Sequence, residues 1–257
     1  MTNRDQKLPI RDHLVELRRR VTLSVIAVVT TTVVAFAFHQ QILELLMEPA
    51  RGFTDIPNER PIYTELTEFI GVAFKASLLA GIFAALPFVL YQIVAFVSPG
   101  LRPEEKRYLY MLFPISLLVF VAGAAFGYRV LFPPAVNFLL TFGNDVATPF
   151  IRIGSYVNLM LSLLFWMGIV FETPVILFFL SKIGIVTPEF LGRQRRYAVV
   201  AAFILGAAIT PTFDPINQSL VAIPIIVLYE VGIWLAKLGR LGRKPRTAAT
   251  EAESGQQ

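Results

Sequence analysis

The sequence contains no cysteine, so it forms no disulfide and offers no thiolate to a metal ion or a substrate. Charged residues are also scarce, at 16% of the chain against about a quarter in soluble domains. The two histidines, His13 and His39, stand in unrelated contexts and do not suggest a metal pair. The scarcity of charge excludes an ordinary soluble domain, and we expect neither a metal nor a cofactor.

Motifs of soluble enzymes are missing as well. The chain has no glycine-rich phosphate loop, no zinc-protease helix and no nucleophile elbow. Intramembrane proteolysis would need a serine with an activating histidine, a pair of aspartates or a metal site within apolar sequence. Serines do occur in apolar sequence, but no histidine is placed to activate them. The sequence therefore predicts a protein that is not an enzyme.

The chain instead has long apolar segments, and 55% of its residues are hydrophobic. Because backbone groups in lipid must be hydrogen-bonded within their own segment, these segments predict an all-α polytopic membrane protein with six transmembrane helices. The apolar segments lie at 21–38, 69–97, 108–128, 156–180, 197–210 and 219–236. We expect a transmembrane domain at 1–238 and a flexible cytoplasmic tail at 239–257.

Two further properties of these segments bear on their geometry. The segments at 197–210 and 219–236 are short for a bilayer about 30 Å thick, and thinning of the bilayer beside them is expected. Four segments contain an internal proline, which predicts kinks at Pro87, Pro114, Pro174 and Pro224.

The basic residues predict the orientation of the chain. Of the 23 Lys and Arg residues, 18 lie in the N-terminal tail, in the connections after the second and fourth segments, and in the C-terminal tail. Cytoplasmic connections carry an excess of Lys and Arg. The distribution therefore predicts that both termini are cytoplasmic.

One glutamate, Glu172, stands well inside the fourth apolar segment. A charged group near the bilayer centre costs about 2.5–3.5 kcal/mol on insertion scales, so such residues usually face a cavity or a partner helix. A functional role is favoured over the alternative, a protonated carboxyl bonded to a carbonyl freed by Pro174. Glu230, by contrast, lies near the cytoplasmic end of the sixth segment, where a structural role is favoured, because it can reach the interface or pair with Lys237.

Further carboxylates stand on the predicted cytoplasmic face. Glu16 precedes the first segment, and Glu104 and Glu105 lie between the second and third. Taken singly, such acids balance neighbouring arginines at a solvated surface. Together they form two acidic patches that could bind a cationic peptide, because arginine pairs with carboxylates through two parallel hydrogen bonds.

Four stretches of the sequence together resemble the TatC family of the twin-arginine protein translocase. They are HLVELRRR at 13–20, AFVSPGLRPEEKR at 95–107, FETP at 171–174 and ITPTFDPINQ at 209–218. Each is weak alone, but the four occur in order along nearly the whole chain. The resemblance implies a kinked, glove-like bundle in the bacterial cytoplasmic (inner) membrane. It also implies a receptor for twin-arginine signal peptides of folded precursor proteins, with transport driven by the protonmotive force.

The resemblance also implies partners and site residues. The partners are single-span TatA- and TatB-type proteins, signal peptides, membrane lipid and further copies of the chain, with no nucleic acid. By position in the motifs, signal-peptide binding falls on Glu16, Arg18, Phe96 and Glu105, the intramembrane polar residue is Glu172, and partner contact falls on Thr210, Asp214 and Gln218. The sequence leaves open whether Glu104 or Glu105 is the main acid.

Two other functional classes are compatible with the composition. A proton-coupled transporter of a small solute would also place a carboxylate at mid-membrane. Such transporters favour internal repeats and broken helices, and this chain has predicted kinks but no convincing repeat. A purely structural scaffold is the third possibility.

Overall fold

The computed structural model describes residues 10–52, 61–142, 151–210 and 214–240, and these residues are almost entirely helical. The α-helices are α1 Ile10–Ala37, α2 His39–Met47, α3 Glu68–Val97, α4 Pro103–Phe126, α5 Phe132–Thr141, α6 Ile153–Phe171, α7 Thr173–Ile183, α8 Pro188–Arg193, α9 Arg195–Ile209 and α10 Pro215–Arg240. The expected all-α membrane architecture is confirmed. The expected tail at 239–257 lies outside the described residues, except for Gly239 and Arg240.

Five helical segments of the described chain are long and apolar enough to cross a membrane. They are Arg11–Ala37, Glu68–Gly100, Pro103–Thr141, Ile153–Ile183 and Pro215–Arg240. Each begins before the apolar run that predicted it, and all but the first also end after it, because the helices continue into polar sequence. The third segment continues from α4 through a π-helical turn at Gly127–Leu131 into α5.

The two segments expected to be short differ in the structure. α9 has 15 residues and a length of about 22 Å, so it is shorter than the hydrocarbon core of a bilayer. α10 has 26 residues and reaches about 39 Å, so the helix extends past both ends of the apolar run at 219–236. Its helix begins at Pro215 and runs on through Lys237 to Arg240, past the last apolar residues. The sixth crossing, by α9, stays a prediction.

The helices pack in pairs around one main core. α1 lies along α3, α4 along α6, and α10 along both α7 and α9. The largest fully buried side chains include Phe132, Met160, Leu163 and Met167, which belong to that core. Much of α1 is exposed on the side away from α3, as expected of a helix with lipid on its outer face.

Close packing of α1 against α3 depends on a glycine. A Cβ added at Gly81 would lie 2.4 Å from Oγ1 and 2.6 Å from the backbone Cα of Thr32. The Thr31 hydroxyl also donates a hydrogen bond of 2.7 Å to the carbonyl of Gly81. The two backbones therefore touch at this point, and any larger residue at position 81 must separate them.

Three of the four prolines lie inside helices, and the kinks expected at them stay predictions. Pro87, Pro114 and Pro224 lie inside α3, α4 and α10, each of which is continuous. Pro174 follows a break, since α6 ends at Phe171 and α7 begins at Thr173. Glu172 occupies the break, and its polar side chain is thereby placed where the regular helix stops.

The N-terminal ends of α3 and α6 are joined by a short parallel pairing of the preceding segments. The amide of Ile62 donates to the carbonyl of Ile151, and the amide of Ile153 donates to the carbonyl of Ile62, at 2.9 and 2.8 Å. The carboxylate of Glu68 reinforces the pairing by accepting a hydrogen bond from the amide of Gly154 at 3.0 Å. We call this end of the bundle the Glu68 end, and the opposite end of α3 the Phe96 end.

Candidate functional site

A guanidinium group is held between α1 and α3 at the Phe96 end. The Arg20 side chain donates to the Glu16 carboxylate at 3.1 Å and to Oε1 of Gln92 at 2.9 Å. Gln92 is buried, whereas the side chains of Arg20 and Glu16 stay 28% and 25% exposed. The arrangement connects a carboxylate on α1 with an amide on α3 through one arginine, and it leaves the carboxylate partly open to solvent.

An aromatic stack lies at the same end of the bundle. The rings of His13 and Phe96 are 4.4 Å apart and inclined by only 14°. Together with the Arg20 bonds, the stack fixes the first turns of α1 against the last turns of α3. We call the set His13, Glu16, Arg20, Gln92 and Phe96 the α1–α3 junction.

Arg18 lies between Glu16 and Arg20 on α1, and its side chain is exposed. Among the described residues, no carboxylate forms an ion pair with the Arg18 guanidinium. The backbone carbonyl of Arg18 accepts a hydrogen bond of 2.8 Å from the Thr22 hydroxyl. The structure thus brings Glu16 and Phe96 into the junction and leaves Arg18 at its edge.

Glu105 lies in the first turn of α4, immediately after the turn Ser98–Gly100 that ends α3. Its carboxylate accepts a hydrogen bond of 3.0 Å from the backbone amide of Arg102, which satisfies a free donor at the helix start. Glu104 is more exposed than Glu105. Within the described chain, no hydrogen bond or ion pair joins Glu105 to Glu16, although both lie at the Phe96 end.

Glu172 is enclosed between helices. It is 9% exposed, and one carboxylate oxygen accepts a hydrogen bond of 2.5 Å from the Ser116 hydroxyl of α4. The other oxygen is buried without a hydrogen-bond partner in the described structure. Its partner is thus the serine of a neighbouring helix and not a carbonyl freed by Pro174. An unpaired buried oxygen is energetically unfavourable, so this carboxyl can gain by binding a proton or a donor.

The turn between α9 and α10 is held by its own polar side chains. The Asp214 carboxylate accepts hydrogen bonds from the amide and the side chain of Asn217, at 2.6 and 3.1 Å. Gln218 donates a side-chain hydrogen bond of 2.8 Å to the carbonyl of Phe203, and so ties α10 to α9. Thr210 is buried and donates to the carbonyl of Gly206 at 2.8 Å. Residues 211–213 of the expected contact turn lie outside the described residues.

Glu230 differs from the expectation. It pairs with Arg195 of α9, with an N–O distance of 2.7 Å, and not with Lys237. Lys237 instead lies over the ring of Trp234 at 5.9 Å. The sequence suggested Lys237, about two helical turns along α10, whereas packing of α9 against α10 places Arg195 closer to Glu230.

Sequence reasoning missed four residues that complete these sites, namely His13, Arg20, Gln92 and Ser116. Arg20 and Gln92 are 72 positions apart in the chain, and Ser116 and Glu172 are 56 apart, so no local pattern connects them. One signal was available for Arg20, because it follows Glu16 by one helical turn, a spacing that favours an ion pair. In the described residues no group of three His, Asp or Glu side chains could hold a metal ion.

The model of one protein family matches this chain. The model for the Sec-independent protein translocase protein TatC matches residues 12–224. That range contains the α1–α3 junction, Glu105, Glu172 and the turn before α10.

Individual relatives agree with the family model over most of their length. The chain is 37% identical over 233 residues to the TatC protein of Carboxydothermus hydrogenoformans, covering 91% of this chain and 94% of the relative. It is 38% identical over 239 residues to that of Aquifex aeolicus, covering 92% and 98%. A crystal structure of the twin-arginine translocase receptor TatC superposes with a TM-score of 0.80 at 38% identity, covering 88% of this chain and 99% of the other. None of these comparisons supports the alternative of a small-solute transporter.

Proposed function

The chain belongs to the TatC family of Sec-independent protein translocases, and from this premise we propose that it binds the twin-arginine signal peptides of folded precursor proteins. As a translocase subunit it is a non-enzymatic transport component. The proposal extends to its partners. Single-span subunits of the TatA and TatB type would assemble with it and with further copies of the chain, and the protonmotive force would drive transport across the bacterial inner membrane. Both termini would then face the cytoplasm.

The α1–α3 junction is the observation that carries the proposal, because it already holds a guanidinium. Arg20 is bound there by a carboxylate at 3.1 Å and an amide oxygen at 2.9 Å, beside a flat aromatic surface. The same groups suit the guanidinium of a signal peptide, which is planar, always charged and able to form paired hydrogen bonds. Lysine lacks that planar fork, so the site would prefer arginine.

We assign Glu16 and Glu105 as the principal acids of recognition, with Phe96 and Arg18 beside them. One carboxylate oxygen of Glu105 is used by the helix start, so the other remains available for a ligand. Glu172 is assigned to a later step, in which the apolar part of the signal enters the bundle. The turn with Thr210, Asp214 and Gln218 is assigned to contact with a partner helix.

The recognition assignment is tested with a photo-reactive twin-arginine peptide and purified, membrane-reconstituted protein. The Glu16→Gln and Glu105→Gln double variant keeps side-chain size and removes both charges. Loss of a hydrogen bond to a charged group costs about 1.5–3 kcal/mol, so each substitution is expected to weaken binding about 10- to 150-fold.

Two matched variants make the result specific. Glu104→Gln removes a neighbouring charge and is expected to leave the peptide affinity within about threefold of that of the parent protein. Comparison with Glu105→Gln shows which of the two adjacent acids binds the peptide. Glu44→Gln, on α2 at the Glu68 end, controls for a general effect of charge. If the double variant binds the peptide as the parent does, the assignment of Glu16 and Glu105 is wrong.

A further inference from the structure

A groove between α3 and α6 opens at the Glu68 end of the bundle, away from the α1–α3 junction. It has two compartments of about 330 and 270 Å³, which share Lys75 and Asn158. The outer compartment is polar and includes Arg152 and Ser155. The inner compartment is apolar and runs between Leu79, Ile82, Leu161 and Phe165. We call the two together the α3–α6 groove.

Lys75 stands at the boundary between the two compartments. Lys75 is seven residues after the first residue of α3, in an otherwise apolar stretch of the helix. It donates to Oδ1 of Asn158 at 3.0 Å, which is a neutral acceptor. In the part of the chain that the structure describes, no carboxylate lies within 4.0 Å of it. The positive charge is therefore uncompensated by the described protein groups.

The nearest acids of the outer compartment are already used. Arg152 pairs with Glu65 at 3.1 Å and with Glu68 at 3.3 Å, and Glu68 also caps the start of α6. The Lys75 side chain is exposed and forms no ion pair with the described residues, so an anion from outside the chain can reach it and is stabilised by it. The anion must also be compatible with the apolar compartment that continues below.

We propose that the α3–α6 groove binds one anionic phospholipid, with the phosphodiester at Lys75 and Asn158 and one acyl chain in the inner compartment. The Asn158 amide and the Ser155 hydroxyl provide donors for the phosphate oxygens. The apolar side chains from Leu78 to Phe165 provide the surface for the acyl chain. If the N-terminus is cytoplasmic, the lipid belongs to the outer leaflet.

The size of the inner compartment favours an acyl chain over a partner's membrane helix. A helix 10 Å across with a pitch of 5.4 Å occupies roughly 420 Å³ for each turn. The compartment offers about 270 Å³ along about two turns of α3, from Lys75 to Ile82. A helix could cross the mouth but could not fill the groove, whereas a single hydrocarbon chain can enter it.

Quenching of tryptophan fluorescence by brominated lipids measures occupancy of the groove directly, and it needs no signal peptide. The chain has two tryptophans, Trp166 and Trp234, and both are replaced by Phe. A reporter is then placed in the inner compartment by Phe165→Trp. Vesicles contain phosphatidylglycerol, which carries one negative charge, and phosphatidylcholine, which carries none, in equal amounts, and either the first or the second lipid is brominated.

The parent reporter is expected to bind phosphatidylglycerol about fivefold more strongly than phosphatidylcholine, the preference that one lysine provides near a membrane surface. Lys75→Gln is expected to abolish the preference, and Lys75→Arg to retain it. Lys182→Gln, which removes a cation from the opposite end of the bundle, is the matched control and leaves it unchanged.

Three results would overturn the proposal. The first is equal quenching by the two lipids in the parent reporter, and the second is a preference that survives Lys75→Gln. The third is a loss of quenching by both lipids when a single-span partner is added, which would mean that the partner's membrane helix occupies the α3–α6 groove. A second reporter that retains only Trp234, far from the groove, shows whether the variants change lipid contact generally.

Discussion

At the scale of single residues, two polar side chains are bound in ways that bear on transport. Arg20 occupies one oxygen of the acid proposed to receive the signal peptide. Glu172 has one satisfied and one unsatisfied oxygen in a place closed to solvent. Each arrangement predicts the direction of a substitution's effect, on peptide affinity for Arg20 and on transport for Glu172.

Replacing Arg20 by Gln is expected to strengthen binding of a twin-arginine peptide. The substitution removes a cation that competes with the peptide for Glu16. Because the Arg20–Glu16 pair is partly exposed, it is worth about 0.5–1 kcal/mol, and the gain should be about two- to fivefold at low salt. Peptide affinity is measured by fluorescence anisotropy on reconstituted protein.

Arg19→Gln removes a neighbouring exposed charge and serves as the control for Arg20→Gln. Weaker binding in Arg20→Gln, with Arg19→Gln unchanged, would mean that Arg20 positions Glu16 instead of competing for it.

Replacing Glu172 by Leu is expected to leave the protein folded and to lower transport at least tenfold. Folding should persist because the variant removes a buried oxygen that has no hydrogen-bond partner. Ser116→Ala should instead destabilise the protein by about 1–3 kcal/mol, because it leaves the carboxylate without its described partner. The double variant should recover that loss.

Thermal unfolding in detergent and precursor transport in vesicles are measured on all three variants. A Glu172→Leu protein with full transport would assign Glu172 a purely structural role.

At the scale of helices, the contact of α1 with α3 is the most tightly constrained. Gly81→Ala is expected to destabilise the protein by about 1–3 kcal/mol, because its Cβ would meet the backbone of Thr32. Gly71→Ala, in the same helix with nothing within 4 Å of its Cβ, is the matched control. It should be neutral or stabilise by up to about 1 kcal/mol, since Ala favours helix more than Gly does.

Unfolding midpoints of the two glycine variants provide the comparison. Equal stability of Gly81→Ala and Gly71→Ala would contradict the contact.

The sequence predicted helices better than it predicted their ends and their contacts. Apolar runs define the part of a helix that lies in lipid, so α3, α6 and α10 were each expected near their observed positions. The residues at which helices begin and end in polar sequence could not be predicted from apolar runs, and α10 is longer than its apolar run at both ends. The partner of Glu230 could not be predicted, because Arg195 approaches it only when α9 packs on α10. Motif resemblance predicted roles for Glu16 and Phe96, whereas the position of Gln92 beside them became visible only through its hydrogen bond to Arg20.

At the scale of the whole molecule, the bundle is uneven in thickness. α9 reaches about 22 Å, while α10 beside it reaches about 39 Å. A short helix is accommodated by thinning of the bilayer or by association with another protein. The edge formed by α9 and the start of α10 is therefore where we expect a TatA- or TatB-type helix to dock.

Cysteine cross-linking tests this edge, and the chain has no cysteine of its own. Cysteines placed at positions 205–222 should cross-link to a cysteine in the partner helix, with Gln218 among the strongest positions. Positions 112–124, in α4, are the control and should not cross-link. Equal yields at both edges, or none at 205–222, would contradict the docking site.

The pairing of Ile62 with Arg152 also has a consequence for the time course of biogenesis. The two positions are 90 residues apart, so the chain must be extended by that length before the backbone bonds can form. At 5–20 residues per second, a ribosome needs roughly 5–18 s for this extension. During that interval α3 is synthesised before the segment that later pairs at its Glu68 end. The pairing thus marks a late step of membrane insertion, which can be completed only after the third membrane segment and the connection that follows it have emerged.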